Sequence, residues 1–189
     1  MEKVGLGHLR CFAHCSHRGH LTPVRQNAIR SLITAILVIL LVATSAAETL
    51  SGRCIKVADG DTITILTPAK PQVRVRLACI DCPERRQPFG KRPKQFTSSL
   101  VFGRRVRVEV VDRDRYGRAI GWVYALGPEG NELCVNEELI KAGLAWVYRR
   151  YCRDERLLAL EREARVGSRG LWGNPHSVPP WTFRTRHHY

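Results

Sequence analysis

The chain has 189 residues, enough for one domain with a proper core and too few for two of ordinary size. Its 31 lysines and arginines against 17 acidic residues exclude a charge-balanced surface and suit a polyanionic partner, either nucleic acid or an anionic membrane, although such an excess also serves solubility. Histidine is absent from residues 48 to 175, which excludes His/His ribonuclease chemistry, histidine-ligated metal nucleases and Ser/His triads within that span.

Residues 1–47 are expected to lie outside the folded domain. Residues 32 to 47 carry no charge, Arg25 and Arg30 precede them, and Ser45 with Ala47 forms a small-x-small cleavage site, the pattern of a secretory signal. Cleavage after Ala47 leaves 142 residues. An uncleaved inner-membrane anchor is the alternative, because about 16 apolar residues sit at the lower limit for spanning a bilayer. The basic stretch from Met1 to Arg30 is long for a signal, and a misplaced start codon would account for it. Cys11, His14, Cys15, His17 and His20 have metal-ligand chemistry, but no second ligand pair follows at finger spacing. The first 47 residues hold five basic and one acidic side chain, so the remainder keeps 26 against 16, a net charge of +10. The expectation is an exported protein, periplasmic or secreted.

From Gly52 the pattern changes to short strands. Gly52 to Ala58 and Thr62 to Leu66 flank an Asp-Gly turn, a hairpin signal. Gln72 to Ile80 alternates Val73, Val75 and Leu77 against Arg74 and Arg76, which predicts a half-buried strand. Arg105 to Val111 repeats the alternation, and Ala119 to Ala125 makes a fifth strand. Helices are expected over 93–102, over Asn136 to Ala142 where Gly143 stops it, and over about Asp154 to Val166 with Leu157, Leu160 and Ala164 on one stripe. Gly170 to Trp172 should fold back on the core, and the basic tail 174–189 should be loose. Five short strands with a helix after the third predict an α+β fold: a five-stranded Greek-key barrel of the oligonucleotide-binding type with three helices, spanning residues 48–173.

Three carboxylates and two arginines stand out against this frame. Asp61 leaves the Asp59–Asp61 turn, and Asp81 and Glu84 close the run from Arg76; Arg118 ends the run from Asp114. Carboxylate oxygens suit a hard divalent cation, guanidinium suits an anionic phosphorus centre, and a spare carboxylate can take a proton from water. Asp59 is expected only to bond local backbone, and Arg74 to be an exposed charge. Cys79 and Cys82 have redox spacing, but such motifs open a helix and Asp81 and Pro83 end a strand here. Five cysteines, Cys54, Cys79, Cys82, Cys134 and Cys152, follow residue 47, and an odd number fixes no pairing.

The run D-G-D-T at 59 to 62, R-L-A-C-I-D-C-P-E at 76 to 84, D-R-Y-G-R at 114 to 118, V-N-E-E-L-I-K-A-G-L-A at 135 to 145 and G-L-W at 170 to 172 resembles the thermonuclease family typified by staphylococcal nuclease. The resemblance covers about residues 51 to 172. It implies a calcium-dependent nuclease acting on DNA and RNA, with a monomeric state and 3′-phosphorylated products. It implies Asp61, Asp81 and the Cys82 backbone carbonyl as calcium ligands, Glu84 as general base, and Arg76 and Arg118 on the scissile phosphate. Arg115 and Tyr116 correspond to nucleotide-contacting positions, and Tyr148 or Tyr151 is expected to supply a further stacking surface. Cys82 stands where the family's prototype has threonine; a Cys82–Cys152 bridge is the pairing expected at the site mouth. A barrel that binds nucleic acid without cutting it, and a membrane-anchored basic protein, are the rival readings.

Overall fold

The computed structural model describes residues 48–68, 72–127 and 130–187. The expected signal and the Cys/His stretch lie outside the described residues. In chain order the elements are β1 (Thr49–Asp59), β2 (Thr62–Leu66), β3 (Val73–Leu77), β4 (Ile80–Asp81), α1 (Arg92–Val101), β5 (Arg105–Arg113), β6 (Ala119–Leu126), β7 (Glu132–Cys134), α2 (Val135–Lys141), β8 (Trp146–Val147), α3 (Glu155–Val166), a 3-10 turn (Gly170–Gly173) and α4 (Pro180–His187).

β1 pairs antiparallel with β2 and β5, β2 with β3, and β5 with β6. β3 then pairs parallel with β6, Val75 opposite Ala119 and Arg76 opposite Ile120. That pairing closes five strands into a mixed barrel and leaves none of them with a free hydrogen-bonding edge over its paired length. The alternation read from the sequence holds: Val73, Val75 and Leu77 face the core while Arg74 is exposed. Ile63, Ile65, Val106, Val108 and Val123 fill the barrel, and Leu139, Ile140 and Leu157 bring α2 and α3 against it.

Two expectations about the elements need correction. The third strand does not run unbroken to Ile80. It stops at Leu77, turns through Ala78 and Cys79, the latter at φ 66°, and resumes as β4, which pairs with β8. The C-terminal tail is not loose either: α4 forms a fourth helix within it. Pro180 occupies its first turn, where a missing N–H costs nothing.

Close approaches fix the β1–β2 turn. Gly60 lies so near Pro93 and the Cys82 side chain that a Cβ would collide with both. Thr97 of α1, fully buried, donates its hydroxyl to the Gly60 carbonyl at 2.7 Å. Gly143 and Gly170, both at positive φ, pack backbone to backbone, and the Leu171 N–H donates to the Gly143 carbonyl at 2.8 Å. The expected fold-back of residues 170 to 172 is therefore built on two glycines.

Buried Asn136, the second residue of α2, joins three segments. Its Oδ1 accepts the Val123 N–H at 3.0 Å, and its Nδ2 donates to the carbonyls of Ala78 at 2.9 Å and Gly121 at 3.3 Å. Asn136→Ala strands these buried backbone groups, and a loss of about 3 kcal/mol is expected in urea unfolding. The disulfide also departs from expectation: Cys79, not Cys82, is bonded to Cys152. Cys82 is turned inward beneath Gly60, whereas the left-handed turn at Cys79 brings it to the segment before α3. The bridge spans 73 positions in sequence, so Cys152→Ser should cost about 2–4 kcal/mol by the same measurement, with an equal loss when the wild type is reduced.

Candidate active site

The site forms where the β1–β2 turn, β3 and β4 meet. Asp61 follows the tight turn at Gly60 and is buried; its amide N–H donates to Asp59 Oδ1 at 3.2 Å, the local bond expected of that turn aspartate. Asp81 ends β4 and is 1 % exposed. Arg76, projecting from β3 between them, donates Nη1 to Asp61 Oδ1 at 2.6 Å and Nη2 to Asp81 Oδ1 at 2.9 Å. The Cys82 N–H donates to Asp61 Oδ2 at 3.0 Å, and the Thr62 hydroxyl to Asp61 Oδ1 at 3.2 Å. Four donors or cations thus hold two buried carboxylates in one orientation.

Burial dominates the protonation of these acids. It pushes Asp61 up to about 6, with Arg76 opposing the rise and Asp59 adding to it. Burial raises Asp81 as well, against the hydrogen bond from Arg184. The Cys82 thiol is pushed well above its ordinary value by burial and then by the neighbouring Asp61 and Asp81, so it stays protonated.

Glu84 differs from both aspartates in exposure, its side chain being 36 % accessible against 5 % and 1 % for Asp61 and Asp81. Its backbone is pinned by Gln87: the Glu84 N–H donates to Gln87 Oε1 at 3.0 Å, and the Gln87 N–H donates to the Glu84 carbonyl at 2.8 Å. Gln87 in turn donates Nε2 to the Val178 carbonyl at 2.5 Å, which ties this loop to the segment leading into α4.

Sequence reasoning missed Arg184. This α4 side chain reaches back to the carboxylates, placing Nη2 2.6 Å from Asp81 Oδ2 and Nη1 2.7 Å from Glu84 Oε1. Nothing periodic in α4 announces the contact, because that helix has no apolar stripe. The available signal was Pro179-Pro180 ahead of Trp181, a helix-start pattern inside a segment read by composition alone.

The structure brings Asp61, Arg76, Asp81 and Glu84 together through Arg76 and Arg184, and gives the other named residues partners of their own. Arg118 precedes Ala119, which pairs with Val75 beside Arg76. Its Nε is held at 2.6 Å by Asp114 Oδ2, so its ionic partner is that turn aspartate rather than the carboxylate group. Arg115 lies over the exposed Tyr116 ring and donates to its hydroxyl at 2.7 Å. Tyr148 follows β8, where its N–H donates to the Cys79 carbonyl at 2.8 Å. One face of its ring is stacked on Trp181 at 5.1 Å, and Tyr151 meets it edge-on.

The donor chemistry at Asp61 and Asp81 fits a hard cation. Both carboxylates lie on a single guanidinium and are therefore adjacent, the nearby thiol is held protonated, and the set is made of oxygen. Among the described residues no group of three or more His, Cys, Asp or Glu closes round a metal. The protein would supply a minority of the six to eight oxygens that calcium takes.

Comparison with known proteins identifies the family. A family model described as "Staphylococcal nuclease homologue" matches residues 74–174, which include Arg76, Asp81, Glu84 and Arg118 and exclude Asp61 and α4. The chain is 43% identical over 158 residues to Protein ParB of Escherichia coli, covering 79% of this chain and 88% of that one. It is 37% identical over 163 residues to a micrococcal nuclease of Shigella flexneri, covering 83% and 92%. An uncharacterized endonuclease of Escherichia coli O157:H7 is 46% identical over 135 residues, covering 71% and 85%. With its closed barrel, its paired buried aspartates and these matches, the chain belongs to the staphylococcal nuclease homologue family.

Proposed function

We propose that this protein is a calcium-dependent nuclease that hydrolyses phosphodiester bonds of DNA and RNA to 3′-phosphorylated products. The observation that carries the reading is the convergence of two buried aspartates and a more exposed glutamate on two guanidinium groups, Arg76 and Arg184. The family and the nuclease and endonuclease names of its relatives support the nuclease part of it.

Asp61 and Asp81 would hold the ion, with the Cys82 carbonyl as a third protein oxygen, and the ion's positive charge would stabilise negative charge gathering at phosphorus. Glu84 is the carboxylate with access to solvent, so it takes the proton as a water oxygen bonds to phosphorus. The bond from phosphorus to the 5′-oxygen breaks, that oxygen takes a proton from solvent water to become a hydroxyl, and the phosphate stays on the 3′ side. Arg76 answers the added negative charge with a fixed, permanently protonated fork. Arg118 reaches the phosphate by exchanging its Asp114 partner for a phosphate oxygen. Arg115 and Tyr116 contact the nucleotide beside it, and Tyr148 and Tyr151 belong to the aromatic group on the β8 side.

The Cys79–Cys152 bridge suits an oxidising compartment and supports the reading of an exported protein, periplasmic or secreted. Among the described residues no helix is long and apolar enough to cross a membrane, so any anchoring as the alternative would fall to the uncleaved N-terminal segment. A monomer is sufficient for this chemistry.

The test is cleavage of denatured DNA with calcium and with chelator, beside Glu84→Gln. Calcium-dependent cutting is expected, with kcat of the variant lowered about a hundred- to ten-thousand-fold, binding retained, and 3′-phosphate ends on the products. Binding by the wild type without cutting, in calcium, would overturn the catalytic reading in favour of a nucleic-acid-binding barrel.

A further inference from the structure

A groove of about 660 Å³ lies between the turn after β8 and helix α4, with Tyr148, Arg149, Arg150, Trp181 and Arg186 among its lining residues. Its chemistry is unlike that of an enclosed small-molecule pocket. Two stacked aromatic rings and three arginines line it, and no carboxylate does. Arg149 is held by buried Glu161 at 3.1 Å, so its position is fixed. Arg150 and Arg186 have no carboxylate within ion-pair distance among the described residues, Arg150 resting instead over the Tyr151 ring. A groove with unneutralised cations beside aromatic surface matches the repeating phosphate-and-base pattern of single-stranded nucleic acid.

The groove is also joined to the carboxylates by a single helix. Trp181 and Thr185, four residues apart, and Arg186 line the groove, while Arg184 crosses to Asp81 and Glu84. A chain leaving the reacting phosphate along α4 would therefore enter the groove directly. We propose that α4 and residues 148–150 form an extended subsite for single-stranded nucleic acid, binding nucleotides that flank the scissile phosphate. This rests on the nuclease reading given above and adds to the cleft helix α4, which lies outside the family match ending at residue 174. Arg150 and Arg186 pair with successive phosphates, and Trp181 presents its indole edge and free surface to a base. Arg184 anchors α4 so that the subsite keeps its alignment with the catalytic carboxylates.

The experiment measures binding of fluorescein-labelled oligothymidylate to the purified full chain in chelator, across a salt series, for the wild type, Arg150→Ala/Arg186→Ala, Trp181→Ala, and Arg150→Lys/Arg186→Lys. Thermal unfolding of each variant checks that α4 remains folded. The double alanine variant should weaken binding at least tenfold and reduce the slope of log K against log salt by about 1.4, the value for two phosphate contacts on a single strand. The lysine variant should restore the slope, which a purely structural loss would not do. Trp181→Ala should weaken binding with no change in slope. Unchanged affinity and slope in the double alanine variant overturn the proposal, as does tighter binding with faster cutting, which would make α4 a cover over the site. Cutting by the wild type in calcium reads the nuclease assignment separately: a wild type that binds through the groove but does not cut leaves the subsite standing and removes the enzyme.

Discussion

The arginine fork between two buried aspartates is the interaction on which the site depends. Asp61 and Asp81 sit in a place where a lone carboxylate would discard its charge, and burial does raise both. Arg76 keeps a compensating charge within 2.9 Å of each. Such an arrangement offers little net stability, since desolvating three charges consumes much of what their attraction returns. Its value is geometric: one planar group sets the spacing and direction of two carboxylates, one from the β1–β2 turn and one from β4.

That fork can hold its geometry because the strands bearing it cannot slide. Thr62 opposes Arg76 across the β2–β3 pair, and Arg76 opposes Ile120 across the parallel closure. A shift of one residue in either register would turn Val73, Val75 and Leu77 out of the core and bury Arg74. The apolar alternation of β3 therefore specifies the position of Arg76 as firmly as any contact at the site. Gly60, Thr97 and Cys82 perform the same service for Asp61 by seating its turn under α1.

The features legible in the sequence are those encoded locally. The Asp-Gly turn, the Val/Arg alternation of β3 and the stop at Gly143 each depend on a few adjacent residues, and each stands close to where it was expected. Asp61, Arg76, Asp81 and Glu84 fall within 24 positions of one another, so their grouping needs only the β1–β2 turn, β3, β4 and the loop that follows. The break at Cys79 was not legible, since a left-handed cysteine between two β-type residues has no propensity signal. The bridge to Cys152 was misread for the same reason: whether Cys79 or Cys82 faces outward is decided by that turn. Helix α4 was hidden by composition, its polar sequence giving no apolar stripe while its contacts, through Arg184 and Trp181, lie on residues some 30 to 100 positions earlier.

Charge bookkeeping explains why the tail should return to the site at all. Asp61, Asp81 and Glu84, with Asp59 beside Asp61, carry four negative charges when ionised, and Arg76 alone would leave three of them uncompensated in a largely buried setting. Arg184 brings the total to two negative charges. A dication held there would make the cluster neutral, so that it would no longer repel a phosphodiester. Without the α4 arginine, the same cluster with a dication would keep one negative charge and oppose an anion at short range. The surrounding basic surface steers a polyanion over the longer distance, within roughly a Debye length of about 8–10 Å at physiological salt. Close to the carboxylates, the count of guanidinium groups would decide whether an anion is admitted or held off, and the C-terminal helix supplies the second of them.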